Sequence, residues 1–233
     1  NDGYKLVKKN NVWKWSPLPS VPSFQGAGTA ICYSEAADAI YMVGGSDYDT
    51  EQFHTISSRT GEILRVGAMG WKFNLKTLEW SQLPDLPGSE RMNHAVSCIG
   101  DQVIVIGGST GGTSKAGGET TFYTVVDNWS YSIRTNEWSR LRDTPYAIGN
   151  QGNSVVYKNR YVMLVGGAGY GKVYQPKGLD MTTPPHYKFP SSANNFRKAY
   201  SNSVMIYDSK ENDFFWSVSI TYLFFFQFLF SLI

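Results

Sequence analysis

QVIVIGG (Gln102–Gly108) and YSIRTNEW (Tyr131–Trp138) together decide the fold. The first is a short apolar run rich in β-branched residues and ended by a Gly pair, the pattern of a buried strand that stops abruptly. The second carries an aromatic at each end, seven residues apart, with the polar, turn-forming Arg134-Thr135-Asn136 between them. Two strands joined by a tight turn account for that spacing. The same pair of signals occurs on either side. AIYMVGG (Ala39–Gly45) precedes FNLKTLEW (Phe73–Trp80), and YVMLVGG (Tyr161–Gly167) precedes YDSKENDF (Tyr207–Phe214). The first glycines stand at 44, 107 and 166, spacings of 63 and 59 residues. Self-similarity at this period is the mark of a repeat architecture.

After the second aromatic comes a breaker-rich link: WSPLPSVP (Trp15–Pro22), WSQLPDLP (Trp80–Pro87) and WSRLRDTP (Trp138–Pro145). Each link leads into a further short run, Thr29–Tyr33, Ala95–Ile99 or Ser154–Tyr157. Every repeat therefore reads as strands a to d: a before the first turn, b ending at the Gly pair, c and d carrying the aromatics. A four-stranded meander repeated radially is a propeller blade.

The Gly-Gly pair, the aromatic and the Trp seven residues later resemble the kelch motif, as does the link Pro87-Gly-Ser-Glu-Arg91-Met-Asn-His94-Ala95. The resemblance spans about residues 11–216 and implies an all-β kelch-type β-propeller. Its structural residues here are Gly44, Gly45, Phe73, Trp80, Gly107, Gly108, Tyr131, Trp138, Gly166, Gly167 and Tyr207. Trp15 joins Trp80, Trp138, Phe73, Tyr131 and Tyr207 as expected core packing. The expected organisation is a leading strand d at about 11–17, blades at about 25–82, 92–140 and 150–216, and a tail at 217–233. Three and a fraction four-stranded blades are expected to be part of a larger ring of six or seven.

Composition agrees with a packed all-β domain: of 233 residues, 42% are hydrophobic, 15% aromatic and 17% charged, with 23 Gly and 10 Pro. A net charge of +2 without a basic run gives no nucleic-acid footprint. Cys32 and Cys98 lie in apolar strand-like runs and are expected to be reduced core thiols, which leaves the compartment open, with the cytoplasm slightly favoured. The opening Asn1–Asn11 is polar and carries no secretory signal. Ser217–Ile233, SVSITYLFFFQFLFSLI, has no charge and falls short of the roughly 20 residues that span a bilayer. It is expected to be non-native sequence, and a membrane partner follows only if it is native.

Antiparallel strand order puts the b–c loops and d–a links on one face. The b–c loops, Ser46–Gly70, Ser109–Val126 and Ala168–Asn202, are long and are read as lacking structure of their own, which makes this rim the expected working face. Aligned links place Gln25, Arg91 and Asn150 at one position, and His94 and Asn153 three residues later. These five are the candidate contacts for a protein partner or a small polar ligand such as a carbohydrate. Hydrogen bonding of Arg91 and His94 to loop backbone between blades is an equal alternative. No cofactor or metal is expected: the three histidines, His54, His94 and His186, share no ligand spacing. Gly107–Gly112 lacks the helix that a phosphate site needs. Asn128-Trp129-Ser130 is a sequon that falls on strand c and is expected to be a chance match.

These readings favour a binding or scaffold module over an enzyme. One feature points the other way. GGAGYGKVYQPKG (Gly166–Gly178), with KAYSNSVMIYD (Lys198–Asp208), resembles kelch proteins grouped with sialic-acid mutarotases. That resemblance implies a carbohydrate isomerase using a Glu and an Arg as acid and base. No segment matches that pair; Glu119 is the nearby acid in a b–c loop.

Overall fold

The computed structural model describes residues 3–22, 28–47, 65–66, 68–88, 90–113, 120–144, 154–169, 199–200 and 204–217. Three four-stranded antiparallel sheets carry the fold. Blade 1 is β3 (Ala30–Ser34), β4 (Ala39–Val43), β7 (Gly70–Asn74) and β8 (Glu79–Gln82). Blade 2 is β9 (Ala95–Ile99), β10 (Gln102–Ile106), β13 (Asn128–Ser132) and β14 (Glu137–Leu141). Blade 3 is β15 (Ser154–Tyr157), β16 (Tyr161–Val165), β19 (Val204–Asp208) and β20 (Asp213–Ser217). Each sheet is ordered a-b-c-d as the repeat predicts, and the fold is an all-β open arc of blades.

Two expectations are corrected. The leading strand is not alone: β2 (Val12–Leu18) pairs along its whole length with β1 (Gly3–Lys9), through a two-residue turn in which Asn10 and Asn11 have φ of 51° and 59°. Asn tolerates the left-handed region that such a turn demands, so the polar start of the chain is half of a hairpin. The long b–c loops also begin and end as ribbons. Their arms are β5 (Ser46–Asp47) with β6 (Arg65–Val66), β11 (Ser109–Thr113) with β12 (Thr120–Thr124), and β17 (Ala168–Gly169) with β18 (Ala199–Tyr200). Each ribbon starts directly after a Gly pair whose residues both have positive φ, 62° and 111° at Gly107 and Gly108. That conformation, open to glycine, turns the chain out of the blade and into a new two-stranded sheet.

Blades stack face against face. Successive side chains on a strand point to opposite faces, so each blade has one face towards its predecessor and one towards its successor. Ala39, Tyr41 and Val43 of blade 1 pack on Val96, Val103, Val105 and Tyr131 of blade 2. Ala95, Ile99, Ile104 and Ile106 of blade 2 pack on Val162, Leu164, Met205, Tyr207 and Phe214 of blade 3. The cross-strand aromatic pairs are in contact at centroid separations of 4.7 Å (Phe73–Trp80), 5.3 Å (Tyr131–Trp138) and 5.0 Å (Tyr207–Phe214). Trp80 and Trp138 also stitch the seams, donating Nε1–H to the carbonyls of Pro19 (2.9 Å) and Pro84 (2.8 Å) in the link of the preceding blade. Phe214 has no such donor. At its seam Arg142 stands where Pro84 stands one repeat earlier, and its backbone N–H donates to Asn212 Oδ1 at 2.9 Å. Trp15, in contrast, is 68% exposed and not core, because no described strand covers its face.

The cysteines are a further correction. Cys32 and Cys98 form a disulfide, with Cα atoms 5.7 Å apart. Cys32 pairs across its hairpin with Tyr41, on the face that blade 1 turns to blade 2. Cys98 pairs with Val103, on the face that blade 2 turns to blade 1. The two side chains thus point at each other across the seam.

Candidate functional site

The link into blade 2 runs between the Gly pairs of blades 1 and 2 and meets the base of a ribbon. The Gly45 N–H donates to the Arg91 carbonyl (2.9 Å), Met92 and Ser109 exchange backbone hydrogen bonds (2.9 and 2.8 Å), and the Asn93 N–H donates to the Gly28 carbonyl (2.8 Å). The glycines are needed here for close approach as well as for φ. A Cβ on Gly44 would lie 2.7 Å from His94 Cε1 and would overlap the Arg91 carbonyl; one on Gly108 would lie 2.8 Å from His94 Cβ.

Arg91 lies inside this framework and is fully buried. Its guanidinium donates to the carbonyls of Gly107 (3.1 Å) and Asp127 (2.7 Å) and to the Asp127 carboxylate (2.5 Å), which is itself buried. The Trp129 indole N–H donates to the same carboxylate oxygen at 2.6 Å. Burial pulls the Arg91 pKa below the usual arginine value, and the facing Asp127 charge opposes that shift. Removing either partner would strand a buried charge. Asn128 continues the network, accepting from the Gly107 N–H (2.9 Å) and donating to the Arg142 carbonyl (2.7 Å). Its side-chain amide is therefore buried and occupied, which makes the sequon structural in this fold.

His94 is also fully buried, and neither ring nitrogen reaches hydrogen-bond geometry with a partner. Desolvation is the main cause that pushes its pKa down to about 3; the Arg91 charge adds to this, and the Val43 backbone opposes it. The imidazole is neutral at any physiological pH.

Beside the link lies a cavity of about 250 Å³ between the inner strands β3, β9 and β15. Thr29, Asn93 and Ser154 give it polar groups, and Ile31 and Val96 give it apolar wall. Ser154 Oγ lies 3.0 Å from Ser97 Oγ, tying β15 to β9 at its edge. Such a site has the chemistry to hold a small neutral polar molecule by hydrogen bonds.

Of the five candidate contacts, Arg91 and His94 are brought together in the buried link. Gln25, Asn150 and Asn153 lie outside the described residues, as do His54, Glu119 and His186. The sequence reading does not single out Asp127, and it treats Asn128 and Trp129 only as part of a chance sequon. Their signal was the Asp-Asn-Trp triplet at the start of strand c, directly across blade 2 from the Gly pair.

No family model matches the chain. It is 25% identical over 157 residues to the Kelch-like protein terF of Aspergillus terreus, covering 67% of this chain and 30% of that protein. It is 27% identical over 118 residues to Tip elongation aberrant protein 3 of Schizosaccharomyces pombe, covering 47% of this chain and 10% of that one. The solved structure of YjhT superimposes with a TM-score of 0.59 at 16% identity, over 94% of this chain and 60% of that chain. The repeats are similar to those of a Kelch-like protein. The chain spans less than a third of the curated relatives it matches, and its likeness to YjhT is one of fold.

Proposed function

We propose that this kelch-type module is a binding or scaffold element that recognises a protein or a small polar ligand on the face where its d–a links and b–c ribbons emerge. The observation that carries the reading is the meeting of the Arg91–His94 link, the base of the β11–β12 ribbon and the cavity beside Asn93 on that one face. Gln25, Asn93, Asn150 and Asn153 are the proposed contacts; Arg91 and His94 hold the link that presents Asn93. A photo-crosslinking residue placed at Asn93 in the full chain, followed by mass spectrometry, would identify what docks there. Affinity for the captured species, measured by calorimetry, should fall at least tenfold in an Asn93→Ala/Asn150→Ala/Asn153→Ala variant. It should be unchanged in Lys210→Ala, on the c–d turn at the opposite face. Equal affinity in all three proteins would overturn the assignment.

A second reading is a carbohydrate mutarotase of the sialic-acid type, supported by the resemblance of Gly166–Gly178 and Lys198–Asp208 to that group. Polarimetry of freshly dissolved sialic acid would test it, and no acceleration over buffer would eliminate it. A third, a membrane-tethered propeller, has only the charge-free run 217–233 in its favour, and that run lies outside the described residues beyond Ser217.

A further inference from the structure

The disulfide joins two of the strands that line the cavity. β3 and β9 each contribute two residues to the lining, Ala30 and Ile31 from one and Ala95 and Val96 from the other. Cys32 follows directly after Ile31, and Cys98 lies two residues beyond Val96. The one covalent link among the described residues thus spans the seam between the two strands that frame the cavity. The neighbouring seam, between β9 and β15, carries the Ser97–Ser154 hydroxyl contact instead, from the residue next to Cys98. Both cysteines are half-buried and pack at the edge of the core between blades 1 and 2.

We propose that Cys32–Cys98 is a reversible redox clasp that sets how firmly the two cavity walls are held. A thiolate of a dithiol reductant, of the thioredoxin or dithiothreitol class, attacks one of the two sulfurs. The S–S bond breaks, a mixed disulfide forms and the other cysteine leaves as thiolate. The second thiol of the reductant then displaces the remaining cysteine. Two electrons pass to the cysteine pair, each thiolate takes a proton from solvent, and the reductant departs as its own disulfide. In an oxidising compartment the clasp stays closed; in a reducing one it is transient, the usual fate of cytosolic disulfides. The proposal is independent of which ligand the face takes.

The test is hydrogen exchange with mass spectrometry on the full chain, oxidised and after native reduction by dithiothreitol, with a Cys32→Ser/Cys98→Ser variant beside it. Non-reducing peptide mapping should first show the Cys32–Cys98 peptide. Reduction should then speed exchange in residues 30–34 and 95–99 at least tenfold and leave 128–141 unchanged. It should lower Tm by about 10 °C, as expected for opening a large covalent loop in a chain of this size. The Ser variant should match the reduced protein in both readouts and ignore the reductant. An absent cross-linked peptide, a bond that resists native reduction, or exchange in β3 and β9 that does not respond to reduction would each overturn the clasp.

Discussion

His94 shows how a residue expected to bind can instead set the acid stability of the fold. The unfolded imidazole takes its proton near pH 6.5, and the folded one only near 3. Between those values the unfolded chain binds more protons, so stability is full above about 6.5 and falls as pH falls towards 3. The slope reaches about 1.4 kcal/mol per pH unit where the unfolded form is protonated and the folded form is not. Urea unfolding at pH 7, 5.5 and 4 should show this loss in the native protein and a flatter profile in His94→Gln, whatever the absolute stability of the variant. Parallel profiles would mean that other groups carry the acid sensitivity. Arg91 behaves differently, because its charge is retained and paired. The candidate contact at Arg91 is one half of a buried ion pair that joins the link to the start of strand c. The clue was Asp127, which lies 36 residues away and faces Arg91 only because strand c starts beside the Gly pair.

At the scale of elements, the c–d hairpins were legible almost to the residue, because aromatic spacing and turn chemistry point the same way. Their variation is informative. In blades 2 and 3 the strand-c aromatic is a Tyr whose hydroxyl bonds the Oδ1 of the last turn residue, Tyr131 to Asn136 at 2.6 Å and Tyr207 to Asn212 at 3.0 Å. Those Asn residues have φ of 61° and 50°. Blade 1 has neither partner: Phe73 lacks the hydroxyl, and Leu78 occupies the left-handed position at φ 59°. A branched apolar residue is strained there, whereas Asn is tolerated. Phe73→Tyr alone should destabilise, since it buries a hydroxyl with no acceptor. Combined with Leu78→Asn it should recover, with a coupling of about 1 kcal/mol in a chemical-denaturation cycle. Additive effects would show that the Tyr–Asn contact does not hold these turns. The ribbons and the disulfide were less legible. Ribbon pairing depends on what the chain does after the glycines, where periodicity is absent. The disulfide depends on the a–b turn lengths: two residues at Gly100-Asp101, but four at Glu35–Asp38. Only the register set by those turns places the two cysteines on facing sides of adjacent blades.

Among the described residues, burial at equivalent positions of strand b rises or falls with the presence of a following described blade. Val43 is 0% exposed and Ile106 1%, but Val165 is 40%. Blade 3 carries an apolar row, Val155, Met163, Ile206 and Phe215, aligned directly across its four strands, with Val155 and Phe215 exposed and Met163 and Ile206 partly so. At the other end, Ile31 and Tyr33 of blade 1 and Tyr4, Leu6, Trp13 and Trp15 of the leading hairpin are exposed. The two bare surfaces are of opposite kind: one faces onward along the repeat, the other backward. Surfaces of this kind bury each other inside the arc, so the 233-residue chain is expected to associate with its own copies as concentration rises. Light scattering after size exclusion, from about 1 to 100 µM, should show growth in mean mass for the native sequence. Phe215→Asp with Val165→Lys should suppress that growth. Both changes lie on the solvent-facing side of blade 3, away from the Val162, Leu164 and Tyr207 core, so Tm should shift by no more than a few degrees. Unchanged association in the double variant would place the contact elsewhere, on the exposed leading hairpin, where Trp13→Ser and Trp15→Ser should then abolish it.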